Sequence, residues 1–275
     1  MGRNRIKSSQ IDWIDEYMSV WVNDRLVDEL LLPAAGSPWL MGDGVFESLR
    51  TYDSQPFALQ RHLDRLLVSA QAMNMKIPEK TSISLGVNEV IRNNPSTPFG
   101  RLRITLLSDG TLVITHSSFE PSTRSISLAQ SDSIQQSNRA TSGLKTISYA
   151  ENSTELRKAQ ARGYDDVIFR NENGHVVETA LANLIFFDGE NWWTPALSSG
   201  CLPGVTRSLL IENFGVRENL FHPEEIETMQ SLAITSSVRE IVNVERYESK
   251  LFEPSKQLIE LQGSFHAWIL GNLGL

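Results

Sequence analysis

The spacing of apolar and polar positions divides the chain into short extended runs alternating with amphipathic helical stretches. "SVWVNDRLV" predicts two short strands around Asn23-Asp24. In "MGDG" the glycines Gly42 and Gly44 flank Asp43, a turn signal, and "VFESLRTY" then alternates as a half-buried strand does. "ALQRHLDRLLVSAQAM" sets Leu59, Leu63, Leu66 and Leu67 at helical spacing, with Arg61, His62 and Arg65 among them. "TSISLGVNEVIRNN" predicts a second, shorter helix ending near Asn94. "RLRITLLSDGTLVITHSSF" reads as a hairpin, two β-rich runs joined at Asp109-Gly110.

The pattern then changes. From Glu120 to Gly143 the chain is rich in Ser, Gln and Thr, with one short β-like run, "SISLAQ". The interdomain connection is placed there, near residues 120–135, giving a small N-terminal α/β domain over residues 1–125 and a larger domain over 126–275. "GLKTISYAENSTELRKAQARGY" predicts a strand-like or irregular lead into a helix that ends at Gly163. "DDVIFRNENGHVVET" is strand, turn and strand, and "NLIFFDGENWWTPA" is a hairpin turning at Asp188-Gly189. "PGVTRSLLIENFG" is a helix closed by Gly215, and "SLAITSSVREIVNV" and a helix from about Pro254 follow. These elements predict an α/β or α+β fold.

Composition narrows the function classes. The chain has 275 residues, 40% of them hydrophobic, enough for a real core. A formal charge of −8 argues against a nucleic-acid partner, whose phosphates demand a basic surface. One cysteine, Cys201, excludes an internal disulfide framework and fits a reducing cytoplasm. No apolar run has signal-peptide or membrane-spanning length, and the first eight or so residues are polar, as a frayed extension would be. The five histidines are scattered and no H-E-x-x-H occurs, so no metal site is expected. A dinucleotide GxGxxG, an NTPase P-loop and a G-x-S-x-G elbow are also missing.

Several side chains could carry chemistry. Lys145 stands among small and apolar neighbours in "SGLKTISYAE"; buried, its amine would be free to form a Schiff base, while a solvated surface lysine is the plainer alternative. Glu178 ends an apolar strand, either as a surface charge or as the partner of a buried cation, and Asn183 lies close enough along the chain to bond the same site. Gly204, Val205 and Thr206 sit where a helix would begin, with free N–H groups and the positive end of its dipole. Thr235, Ser236 and Ser237 follow an apolar strand where a helix or tight turn could start. Each of these segments alone reads equally as plain capping. Together with the basic helix they are the parts that one pyridoxal phosphate site needs: an imine-forming amine, an acid for the pyridine nitrogen and donors for the phosphate.

Their order, "GDGVFESLR", "HLDRL", "LKTISY", "ETALANLI" with "LPGVTR", and "ITSSVREI", resembles the class IV aminotransferase family. These are the fold type IV pyridoxal phosphate enzymes, D-amino-acid aminotransferase-like in fold, and they include branched-chain and D-amino-acid transaminases and 4-amino-4-deoxychorismate lyases. The resemblance spans about Val20 to Val244. It implies Lys145 as the Schiff-base lysine, Glu178 as partner of the pyridine nitrogen and Arg65 as the phosphate-binding arginine. It matches Gly204, Val205, Thr206, Ser236 and Ser237 to the other phosphate contacts and Asn183 to the cofactor site. It matches Tyr149, more loosely, to a tyrosine near the cofactor's phenolic oxygen. Phe46 is expected to line the substrate side. Ile185 and Trp192 depart from the family pattern as changes of packing.

The resemblance further implies two α/β domains with the cofactor in the cleft between them, and a homodimer in which a loop of the partner helps to close the site. Substrate choice falls to "RLRITLLSDG", where Arg101 and Arg103 are alternate residues pointing to one face, for a substrate carboxylate or for solvent. The short "SDG" turn lacks the arginine- and glycine-rich loop of many bacterial lyases and the Arg-x-His element of D-amino-acid transaminases. Chain length favours the lyase. The expected activity is 4-amino-4-deoxychorismate lyase, with an amino-acid transaminase as the alternative and a catalytically silent homologue third. The expected partner is a small amino substrate, with no nucleic acid and no membrane.

Overall fold

The computed structural model describes residues 19–31, 33 and 35–274; the polar stretch read as an N-terminal extension lies outside the described residues. The first sheet contains β1 (Val20–Val22), β2 (Arg25–Val27), β3 (Gly44–Tyr52), β4 (Gln55–Pro56), β5 (Phe99–Leu107) and β6 (Leu112–Ser118), in spatial order β2-β1-β6-β5-β3-β4. Its helices are α1 (Pro38–Met41), α2 (Leu59–Ala72) and α3 (Lys80–Asn93). The predicted turns hold: Asn23 and Asp24 take φ of 42° and 68°, which pairs β1 with β2, and Gly110 takes φ of 92° between β5 and β6. Leu63 and Leu66 of α2 and Ile83, Val87 and Val90 of α3 pack on Val45, Leu49, Leu102 and Ile104 of the sheet. Removing one such leucine to alanine costs about 2–5 kcal/mol.

The reading of β3 as half-buried is corrected. All of its residues but Ser48 are buried. One face, Val45, Glu47, Leu49 and Thr51, meets the helices, while the other turns toward the second half of the chain, so neither side meets bulk water.

The second sheet contains β7 (Ile126–Gln135), β8 (Asp166–Asn171), β9 (Val176–Thr179), β10 (Asn183–Phe187), β11 (Trp192–Pro195), β12 (Arg217–Asn219), β13 (Ser231–Ser236), β14 (Glu240–Tyr247) and β15 (Lys250–Leu251). The order is β12-β11-β10-β13-β14-β7-β8-β9, with β15 beside β14. Helices α4 (Ala150–Ala161), α5 (Val205–Phe214), α6 (Pro223–Ile226) and α7 (Lys256–Gly271) complete it. β7 corrects the expected connection. The Ser- and Gln-rich tract is a ten-residue strand between β14 and β8, parallel to both, so the link between the sheets shortens to residues 119–125.

An apolar cluster crosses between the two sheets: Tyr52 and Phe57 pack with Leu209, Ile241, Leu258 and Phe265. Ile185, fully buried, and Trp192, partly buried, belong to this cluster, so both family departures are packing changes. Among the described residues no helix is long and apolar enough to cross a membrane.

Candidate active site

The sheets face each other across a cleft of about 1220 Å³. The irregular lead to α4 is fastened to the start of β3. Phe46 N–H donates to the Lys145 carbonyl at 2.9 Å, Ile147 N–H donates to the Gly44 carbonyl at 2.9 Å, and Thr146 bridges to Val45. The close approach requires Gly44, since a Cβ there would stand 2.7 Å from the Leu106 carbonyl oxygen. Fastened in this way, Lys145 is half-buried on the cleft wall. Its Nζ lies 4.6 Å from the centroid of the Phe46 ring and 5.9 Å from that of Tyr149. The two rings meet edge to face at 5.4 Å, a firm aromatic seat for the amine.

Glu178 enters the same cleft from the end of β9. The turn that follows is pinned from below: the buried Asp166 carboxylate accepts from Val167 N–H at 2.8 Å, Thr179 Oγ1 at 2.9 Å and Ala180 N–H at 3.1 Å. Asn183, opening β10, donates one amide hydrogen to Glu178 Oε2 and the other to the Leu202 carbonyl, both at 2.9 Å. Burial pushes the Glu178 carboxyl up to about 7; the Leu202 backbone amide, Lys145, Arg65 and Arg207 pull it down without cancelling that.

A cradle of donors lies nearby. Gly204 caps α5, and Val205 and Thr206 form its first turn with their N–H groups unspent by the helix. A Cβ at Gly204 would come within 2.0 Å of Asn183 Oδ1, so the bend needs glycine for space rather than for conformation. Thr206 Oγ1 stands 3.3 Å from Ser237 Oγ, which with Ser236 belongs to the tight turn between β13 and β14. Thr235 Oγ1, buried on the same wall, has no partner among the described residues. Arg65 reaches the cleft from α2 and donates through Nη1 to the Pro203 carbonyl at 3.0 Å.

A further wall, to which the Lys145 segment is fastened at Phe46, is the outward face of the first sheet. Registered rows cross three strands: Phe46, Thr105 and Val113; Ser48, Arg103 and Thr115; Arg50, Arg101 and Ser117. All nine line the cleft. The strand period of two therefore turns Arg101 and Arg103 into the cleft rather than to bulk solvent. The Arg103 guanidinium lies 3.9 Å from the Phe46 ring centroid and its Nε donates to Thr105 Oγ1 at 3.2 Å. Arg101 lies 5.2 Å from the Phe119 ring.

The family description "Amino-transferase class IV" matches residues 44–247. The chain belongs to the class IV aminotransferases. It is similar to a protein of Rickettsia felis named as a probable branched-chain-amino-acid aminotransferase, at 26% identity over 87% of this chain and 89% of that one. It is similar to the same degree, 26%, to the aminodeoxychorismate lyase of Bacillus subtilis, over 83% and 86% of the two chains. Among solved structures, a hypothetical aminotransferase from Mycobacterium tuberculosis, in its α-ketoglutarate- and PMP-bound form, shares the fold at a TM-score of 0.84, covering 92% of this chain and 99% of that one at 21% identity.

Class IV aminotransferases use pyridoxal phosphate. The donor set of this class IV aminotransferase fits that group. The cleft holds an amine on an aromatic seat, a buried carboxyl, a helix N-terminus and a buried hydroxyl without a partner among the described residues. Lys145, Tyr149, Glu178, Gly204, Val205, Thr206, Ser236, Ser237 and Arg65 all line one cleft, with Phe46, Arg101 and Arg103 facing them. Asn183 stands apart in kind: both of its amide hydrogens are spent within the protein, so it orients Glu178. Sequence reading passed over Glu47, which spends its carboxylate on Arg65 and His62, and over the hydroxyls of Ser48 and Thr115 beside Arg103. The signal for Glu47 was present, a carboxylate at the apolar parity of a buried strand.

Proposed function

We propose that this chain is a 4-amino-4-deoxychorismate lyase, releasing pyruvate and 4-aminobenzoate from its substrate through Lys145. The observation that carries this reading is the first-sheet wall to which the Lys145 segment is fastened. Ser48, Arg103, Thr115, Arg101 and Ser117 present guanidinium and hydroxyl groups where a branched aliphatic side chain would need an apolar pocket, while Arg50 in the same rows is spent on Glu240. Aminodeoxychorismate carries two carboxylates, and the fork of arginine suits each of them.

Pyridoxal phosphate, when bound, supplies a carbonyl carbon that condenses with amines and a ring that takes up the electron pair left when the substrate Cα loses its proton. Lys145 is assigned as the amine that makes that linkage and, once displaced by the substrate amine, removes the Cα proton at Nζ. Phe46 and Tyr149 hold Nζ in place, and Tyr149 is assigned to the phenolic oxygen. Glu178, oriented by Asn183, is assigned to hold a proton on the pyridine nitrogen. Arg65, the α5 N-terminus at Gly204, Val205 and Thr206, and the turn at Ser236 and Ser237 are assigned to the phosphate. Arg101 and Arg103 receive the carboxylates of the substrate. The electron pair left at Cα would complete the aromatic ring as the ring C–O bond breaks, and the enolpyruvate released takes a proton to become pyruvate, so the step needs no redox partner.

An amino-acid transaminase is the second reading, favoured by the equal identity to the Rickettsia felis relative. The working form is read as a homodimer in the cytoplasm. Trp39 lines the cleft, and Leu40 and Met41, which follow it, expose 66 and 84% of their surface, an apolar patch suited to a second copy.

The test is the absorption spectrum of purified protein with pyridoxal phosphate, then with substrates. A near-visible band lost in folded Lys145→Ala supports the cofactor assignment, and no band in the wild type overturns it. Pyruvate and 4-aminobenzoate from aminodeoxychorismate support the lyase. Conversion of the bound cofactor to its pyridoxamine form by an amino acid, without that cleavage, replaces the lyase by the transaminase.

A further inference from the structure

Glu47 sits on the helix-facing side of β3 between Val45 and Leu49, fully buried. A lone carboxylate there would be driven to its neutral form. Arg65 instead forks onto it, Nε donating to Oε1 at 2.8 Å and Nη2 to Oε2 at 2.6 Å. His62 Nδ1, also fully buried, lies 2.6 Å from Oε2. Burial alone would raise the carboxyl; the guanidinium and the imidazole outweigh it and hold Glu47 at about 2. Burial lowers the pKa of His62 despite Glu47, which favours a neutral ring donating through Nδ1–H.

The hydrogens of Arg65 can be followed one by one. A guanidinium has five N–H donors. Glu47 takes one from Nε and one from Nη2, and the Pro203 carbonyl takes one from Nη1. One hydrogen remains on each terminal nitrogen, on a side chain that lines the cleft with Gly204, Val205 and Thr206. A pair of N–H groups on one rigid fork matches two oxygens of a phosphate.

We propose that Glu47 is a positioning residue for the phosphate of the cofactor: its carboxylate fixes the plane of the Arg65 guanidinium, His62 fixes the carboxylate, and the fork so held presents its remaining hydrogens to the phosphate. Glu47 also offsets the charge of Arg65. Recognition then rests on aimed hydrogen bonds and the α5 N-terminus more than on net positive charge. The inference rests on the reading that this cleft binds pyridoxal phosphate through Lys145, and it adds a residue pair that never meets the ligand.

The experiment titrates ligand-free protein with pyridoxal phosphate and, separately, with pyridoxal, which lacks the phosphate, following the Lys145-dependent absorption band. Glu47→Gln is expected to weaken pyridoxal phosphate about tenfold or more, the loss of a charged hydrogen-bond partner, and pyridoxal less than about twofold. In the Glu47→Gln background Arg65→Lys is expected to add little, because the fork is already unseated. A purely structural role predicts parallel weakening of both ligands. That result, or an unchanged affinity for pyridoxal phosphate in folded Glu47→Gln, overturns the proposal. Should Glu47→Gln fail to fold, His62→Leu keeps the Glu47–Arg65 pair, loses only its backing, and is expected to show the same selectivity loss in smaller degree. A wild type without a Lys145-dependent band overturns the underlying reading itself, a result distinct from a wild-type band with undiminished selectivity in the variants.

Discussion

Glu178 shows how one side chain ties the site to the stability of the protein. Its carboxyl is ordinary near 4.5 in an unfolded chain and raised to about 7 here, first by burial. Between those values the folded state binds the more protons, so this group makes stability fall as pH rises, and its full penalty is in place above about 7. Asp166, raised by burial to about 6, adds a slope of the same sign in the same window. The informative measurement is therefore a difference. Unfolding midpoints of ligand-free wild type and Glu178→Gln are expected to agree closely at pH 5, where Glu178 is already neutral, and the variant is expected to gain on the wild type at pH 8. The order of the chain singled out Glu178 and Lys145, and the fold brings both to one cleft. Glu47 stood out only as a carboxylate at an apolar position; its pairing with Arg65, 18 residues away on another element, was not legible, because only the packing of α2 on β3 brings them together.

At the scale of elements, the start of α5 is the point where backbone and site are least separable. Gly204 keeps φ at −63°, open to any residue, yet the space for a Cβ is filled by Asn183 Oδ1. Gly204→Ala is expected to displace the Asn183 amide from Glu178 and Leu202 and to cost about 1–3 kcal/mol by overpacking. Urea unfolding checks the cost, and a weakened affinity for pyridoxal phosphate checks the displacement. Elements with local signals were legible from sequence. Asp109-Gly110, Gly163 and Gly215 each end a run by taking a left-handed backbone, and α2 declares itself by its leucines. β7 was not legible beyond its first residues. Ile126, Leu128 and Ala129 are buried, but Gln130, Ser133 and Gln135 give no apolar alternation. What makes that segment a strand is its place between β14 and β8, a fact of the whole sheet.

At the scale of the whole molecule the two sheets are clamped beside the cleft. Arg50 N–H on β3 donates to the Ser237 carbonyl at 3.2 Å, and its Nη1 donates to Glu240 Oε1 at 2.6 Å. Tyr52 Oη donates to the same oxygen at 2.8 Å, and the Arg50 guanidinium lies over the Tyr52 and Phe99 rings. Glu240 accepts them from a left-handed backbone, φ 57°, and so fixes the turn that carries Ser236 and Ser237. Glu240→Gln would leave Arg50 buried without a full counter-charge. A loss of about 3 kcal/mol, the low end for breaking a buried pair, is expected in denaturant unfolding, with faster amide exchange along that turn. The rows of the first sheet carry a further consequence. Even-numbered positions of β3 and odd-numbered positions of β5 and β6 line the cleft, while the opposite parity builds the packing against α2 and α3. Ser48, Arg101, Arg103, Thr115 and Ser117 are thus a rewritable alphabet on a fixed page. A lineage could trade one chemistry for another by drift at those few letters, leaving the folding instructions in the other register untouched.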